Sequence, residues 1–173
     1  MRPTLTVRGL GEQLAAVKAA RAALRDMRAL IARVALPWWL GHMRRQFATS
    51  GSHGGSPWAP LERKYAAYKK SIGASLEPLR WSPGREQIHP SLTEDGHPLQ
   101  IARSEDDGFV FGSNAPNLDN VMTGGVNPIT GEVFPARDPF ATTTSQRDEL
   151  AELIELELVR EFEAAGLTMR GAA

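Results

Sequence analysis

Phe47-Ala48-Thr49-Ser50-Gly51-Ser52-His53-Gly54-Gly55-Ser56-Pro57-Trp58-Ala59-Pro60-Leu61 divides this chain in two. Its glycines free the backbone and its prolines remove amide donors, so it reads as a loop. It closes on two apolar residues, Trp58 and Leu61. The expectation is a flexible loop leaving one helix, with Trp58 and Leu61 docking the next helix onto the core. Two helical segments precede the loop. A short helix, a Pro/Gly-rich strand region and a last helix follow it.

Working back towards the N-terminus, Trp38, Trp39, Met43 and Phe47 form a bulky stripe, the last three spaced by four. Aromatic stripes at helical spacing are usually core; a base-stacking platform is the lesser reading. Pro37 is expected to break or kink the helix near Leu36 and to open the next one. From Glu12 to Ala35, Leu14, Val17, Leu24, Ile31 and Val34 recur at threes and sevens, one face of a long helix. Arg21, Arg25, Arg28 and Arg33 lie mostly off that face. They read either as a solvated face or as a surface turned to acid, DNA phosphate or a neighbour's carboxylates. Leu5-Thr6-Val7 reads as an edge strand.

Forward of the loop, Leu61, Tyr65, Tyr68 and Ile72 give an amphipathic helix, decorated by Arg63, Lys64, Lys69 and Lys70 and ended by Gly73. Ser75 to His89 reads as irregular, and Ser91-Leu92-Thr93 as the opening of a strand. Leu99–Arg103 and Phe109–Phe111 flank an Asp-Gly turn, a β-hairpin signal. Asn114 to Thr130 is turn-rich, and Glu132-Val133-Phe134 is a further short strand. Pro135 and Pro139 bracket Arg137 and restrict its direction. Its guanidinium suits a bidentate contact, at an interface or locally, for example with Asp138. In the last helix Ser145 and Asp148 resemble a capping box. Leu150, Leu153, Ile154, Leu158 and Phe162 form its buried stripe, and Glu149, Glu152, Glu155, Glu157, Glu161 and Glu163 its acidic remainder. Gly166 closes it.

The 173 residues fit one domain, read as 1–168 with 169–173 frayed. The absence of cysteine excludes disulfides, Cys-based zinc sites and thiol nucleophiles. No apolar run approaches the ~20 residues of a membrane span, and the N-terminus lacks a signal-peptide pattern, so a soluble protein is expected. The zero net charge hides a polarity. Residues 1–85 hold 15 Lys/Arg against 4 Asp/Glu, and residues 86–173 hold 5 against 16. Mutual attraction of the halves, within a subunit or between neighbours, explains this better than a duplex-binding footprint.

Catalytic chemistry finds no foothold. His42, His53, His89 and His97 form no ligand motif, and His89 and His97 precede prolines, which favours extended backbone. They read as satisfied surface histidines. Gly51–Ser56 lacks the Gly-Lys-Ser/Thr ending of a phosphate loop and reads as a flexible linker. Glu105, Asp106 and Asp107 read as a solvated turn. No enzyme activity, cofactor or metal is expected.

One family matches these motifs in order: Phe47, Trp58-Ala59-Pro60-Leu61, Tyr65-Ala66-Ala67-Tyr68-Lys69-Lys70, Leu92-Thr93-Glu94-Asp95-Gly96 with Leu99, Phe109-Val110-Phe111-Gly112-Ser113, Gly124-Gly125, then Pro135-Ala136-Arg137-Asp138-Pro139-Phe140. Over roughly residues 30–165 the chain resembles the tail completion, or virion morphogenesis, proteins of tailed phages, Mu-like and lambdoid neck and tail proteins among them. It departs from them at Asn117–Met122, where the family often has a Tyr-Ala pair and then a His, and in extra residues between Gly73 and Leu92. The resemblance implies an α+β fold, with long N-terminal helices and a C-terminal helix on a small, largely antiparallel sheet. It implies a structural virion protein of the tail or neck, made in the bacterial host cytoplasm. Its partners would be its own copies, in a hexameric ring, and other neck and tail proteins: the head-tail connector, the tail tube or the terminator. DNA in the lumen would be a non-specific contact. Opposite charge on the two halves suits head-to-tail assembly. Arg21 and Arg28 on one side and Glu155 and Glu163 on the other are the charge candidates. Trp58, Leu61, Pro135, Arg137 and Phe140 are the structural or interface candidates. The alternative is a nucleic-acid-binding accessory protein using Arg21, Arg25, Arg28, Arg44 and Arg45.

Overall fold

A computed structural model describes Ala15, Lys18 and residues 27–80, 87–105, 108–127 and 130–164. The expected strand at Leu5–Val7, Arg21, Arg25, Gly166 and the 169–173 tail lie outside the described residues.

The fold is α+β and is built around one helix, α1 (Met27–Ala48). Leu30, Ala35, Trp38, Leu40, Met43 and Phe47 are all buried along it. Each large apolar side chain taken from water contributes about 1.5–3 kcal/mol. The expected break at Pro37 does not occur: a single helix runs through it. Pro37 is exposed, so the carbonyl it leaves without an amide partner lies on the solvent side, where water can take it. Buried Ala35 and Trp38 hold the helix on both sides of the proline.

The loop after α1 is not a flexible linker. It winds into a 3-10 turn at Ser52–Gly54 and is tied back by Gly51 N–H to the Gln46 carbonyl (2.9 Å) and Trp58 N–H to the Ser50 carbonyl (2.7 Å). The Gln46 side chain, fully buried, accepts from Gly54 N–H at 2.6 Å. Gly54 is needed for close approach: a Cβ there would lie 2.1 Å from the Ala141 carbonyl oxygen.

Helix α2 (Arg63–Ser71) follows, capped by Glu62, whose carboxylate accepts from Lys64 and Tyr65 N–H. Lys69, expected on the surface, is buried, and its ammonium donates to the Glu77 and Arg80 carbonyls. Ile72, expected on the inner face, is exposed.

The strand expected at Ser91–Thr93 is instead α3 (Ile88–Thr93). Pro90 and its neighbour His89 sit in the first turn, where a missing amide donor costs nothing. Leu92 is fully buried against α1, and the Ser91 and Thr93 hydroxyls bond to carbonyls within the helix.

The hairpin forms as expected. β1 (Gln100–Glu105) pairs antiparallel with β2 (Gly108–Ser113), Ala102 opposite Phe111. Phe111 stacks on Trp39 at 5.8 Å, fixing the hairpin to α1. The turn-rich segment contains α4 (Leu118–Thr123), with Leu118 in the core. A second ladder joins β3 (Gly125–Val126) to β4 (Val133–Phe134).

Helix α5 (Thr144–Ala164) packs along α1. Its cap lies two residues before the expected one. Thr143 Oγ1 accepts from Gln146 N–H, and Gln146 Oε1 accepts from Thr143 N–H, a reciprocal capping box. No residue of α5 is fully buried, so the expected buried stripe is a half-buried one, and Leu153 is exposed. Arg33 of α1 pairs with Glu157 (3.2 Å) and Glu161 (2.6 Å) of α5. Basic first helix and acidic last helix therefore meet within one subunit.

Candidate functional site

Two residues singled out in the sequence, Trp58 and Arg137, meet at one joint between the start of α2 and the segment after β4. Trp58 is 6% exposed; its indole meets Phe47 edge-on at 5.2 Å. Indole N–H donates to the Asp138 carbonyl at 3.1 Å. Arg137, also 6% exposed, donates from Nε to the Ala59 carbonyl (3.0 Å) and from Nη2 to the Pro60 carbonyl (2.9 Å). Its backbone N–H donates to the Val121 carbonyl at 2.9 Å. Burial pushes the guanidinium below the ordinary arginine value, a shift opposed by nearby Tyr65. The planar fork presents two fixed donors to two successive carbonyls.

Arg137 therefore engages its own chain, and it does not form the local bridge to Asp138. The Asp138 carboxylate instead accepts from Phe140 N–H at 2.8 Å and shapes the turn. Phe140 is half-buried against the core cluster of Met43, Phe47, Trp58, Leu92 and Leu118. Leu61 is half-buried, and Pro135 is exposed. Gly124 (φ +73°) lets the 134–136 backbone pass, since a Cβ would lie 2.8 Å from Ala136 N. An open cleft of about 800 Å³ lies beside the joint, between Tyr65 and Leu61 of the α2 side and Val121, Phe134 and Arg137 opposite. A salt bridge from Lys64 to Glu132 closes one flank.

Behind the joint lies a second cluster that the sequence reading missed. His42, expected at the surface, is fully buried. Its Nε2 lies 3.0 Å from the Ala141 carbonyl, which can only accept, so Nε2 carries the proton. Nδ1 is then a bare acceptor, with no hydrogen-bond partner. The ring stacks on Trp38 and lies 4.9 Å from the His53 ring. Burial, and the nearby charges of His53 and Arg45, hold His42 below the usual histidine value. Only the helical spacing of His42 within the Trp39–Phe47 stripe hinted at this.

Among the charge candidates, Arg28 is exposed at the start of α1 and its carbonyl accepts from Ser104 Oγ. Glu155 and Glu163 are exposed on α5. Arg44 donates to the Thr93 carbonyl and Arg45 to the Gly41 carbonyl. No group of three or more metal-ligating side chains occurs among the described residues. No family model, curated protein or solved structure matches this chain.

Proposed function

We propose that this chain is a structural assembly protein of a tailed phage, acting as a ring-forming adaptor in tail completion or in the neck between tail and head. One observation carries the reading. Three of the seven motifs behind the phage resemblance, far apart in the chain, meet at one joint: Phe47 on Trp58, Trp58 on Asp138, Arg137 on Ala59 and Pro60. Residues of these three motifs hold the core here, Phe47 and Trp58 buried within it and Phe140 packed against it. The buried polar groups at the joint, the Trp58 indole and the Arg137 guanidinium, bind backbone carbonyls, which suits a structural role.

The nucleic-acid alternative draws less support. Of its five arginines, Arg44 and Arg45 bond to carbonyls within the subunit, Arg28 is exposed, and Arg21 and Arg25 lie outside the described residues. Light scattering of the purified protein tests the proposal. A closed oligomer, visible as rings by electron microscopy, is the expected result. A monomer of 18.9 kDa at all concentrations overturns it.

A further inference from the structure

One side-chain amide joins two distant parts of the fold. Gln146, in the first turn of α5, donates from Nε2 to the His53 carbonyl at 2.8 Å, and the same nitrogen lies 3.1 Å from His53 Nε2. Its Oε1 accepts from Thr143 N–H at 2.9 Å and completes the cap of α5. The amide cannot be turned round. Reversed, its oxygen would face the His53 carbonyl and its nitrogen the Thr143 N–H, acceptor against acceptor and donor against donor.

That fixed orientation dictates the state of His53. An amide nitrogen only donates, so His53 Nε2 must accept, and the proton of the neutral ring sits on Nδ1. Neighbouring His42 has the opposite tautomer, with its proton on Nε2 against the Ala141 carbonyl. The two ring centroids lie 4.9 Å apart, and His53 is half-buried, so solvent protons reach it. A second proton on His53 would set N–H against N–H at Gln146, and either the ring or the amide must then leave.

We propose that Gln146 is a proton-sensitive latch between the loop after α1 and the start of α5, closed while His53 is neutral and opened when His53 takes a proton on Nε2. The turn that carries His53 stays on the α1 side when the latch opens: Gly54 N–H bonds to Gln46 of α1, and His53 N–H to Thr49 just beyond it. Opening therefore frees the first turn of α5 from the loop. The latch acts within one subunit and does not rest on the ring reading.

The charges that bear on His53 come from both helices. Burial, and then Arg45 of α1, hold it below the ordinary histidine value of 6.5, against Glu149 of α5. Proximity to His42 opposes charging both rings. A lowered histidine favours the neutral folded form, so the latch is closed above about pH 6.5 and opens as pH falls through the folded value.

With four histidines in the chain, magnetic resonance of isotope-labelled histidine reads the tautomer and titration of each ring. His53 is expected to carry its neutral proton on Nδ1 and to titrate below the ordinary value. Gln146→Glu keeps the capping oxygen and offers an acceptor to the charged ring. Its His53 midpoint should rise by about one pH unit or more, a tenfold gain in proton affinity. Hydrogen exchange followed by mass spectrometry, corrected for the pH dependence of the exchange chemistry, reads the opening. Wild-type protein should lose protection at the start of α5 as His53 titrates, and Gln146→Glu should not; peptides around Ile154 should change in neither. An Nε2–H tautomer at His53 in the wild type overturns the latch without recourse to any variant. So does a midpoint unmoved by Gln146→Glu, or a first turn whose protection ignores the titration. Equal acid loosening of that turn in His53→Asn also overturns it, since the sensitivity then belongs to another group.

Discussion

The indole N–H of Trp58 donates to the backbone carbonyl of Asp138 at 3.1 Å, joining positions 80 residues apart. The bond ties the loop after α1 to the segment after β4, and the ring beneath it fills the core beside Phe47. Trp58→Ala should therefore destabilise the fold by ~3–5 kcal/mol, the scale of a buried aromatic. Trp58→Phe keeps most of the packing and orphans one carbonyl, for a loss of about 1 kcal/mol. Urea titration followed by far-ultraviolet dichroism separates the two. Equal losses would mean that the hydrogen bond, not the ring, holds the joint.

Arg137 acts on the monomer first. Removing its guanidinium in Arg137→Ala leaves the Ala59 and Pro60 carbonyls without their donors, which should cost about 3 kcal/mol. Arg137→Lys should recover less than half, since an ammonium lacks the rigid, preorganised two-donor fork. A normal unfolding midpoint combined with lost assembly would move Arg137 from the joint to the interface.

Acid should loosen the same region through His42. Its folded value is lowered from 6.5, chiefly by burial. The neutral ring is favoured in the folded state, so its contribution is present above about pH 6.5 and is lost as pH falls through the folded value. His53 is lowered in the same direction, by burial and then by Arg45, while Glu149 opposes both shifts. Protonating Nδ1 would create a buried N–H with no acceptor, on a ring whose centroid lies 4.9 Å from that of His53. The melting temperature should be flat from pH 8 to 7 and fall below pH 6.5, and His42→Gln should fall less steeply. A parallel decline in both proteins would assign the acid sensitivity to other groups.

Gly54→Ala tests whether the loop is packed or free. Its new methyl would meet the Ala141 carbonyl and the Gln46 amide at 2.1 and 2.5 Å. Overpacking against backbone should cost roughly 1–3 kcal/mol or more. A flexible linker would gain slightly from the same change, through lower entropy of the unfolded chain. Calorimetry decides by the sign.

The Arg33 bridge is expected to matter little. Its side chain is 53% exposed, and surface pairs contribute ~0–1 kcal/mol. Arg33→Ala should shift the unfolding midpoint by no more than that, and 1 M salt should erase the difference. A larger loss would show that α1 and α5 depend on charge and not on their half-buried apolar side chains.

Local chemistry alone determined a good part of this protein. The Trp39–Met43–Phe47 spacing placed a core stripe, because helical period dictates which side chains share a face. The hairpin of β1 and β2 and the helix bearing Leu150, Ile154 and Leu158 were legible from signals within a few residues. Arg137 and Trp58 stood out by residue type and flanking prolines, but their partners did not, because those partners lie 77 to 80 residues away. Tertiary packing decided the rest. It carried α1 through Pro37, turned Ser91–Thr93 into helix under a buried Leu92, and drew His42 and Lys69 inside. It also made the glycine-rich loop a close contact with Ala141, where the sequence suggested freedom. Local propensities differ by about a kilocalorie per mole, and burying one large side chain outweighs them.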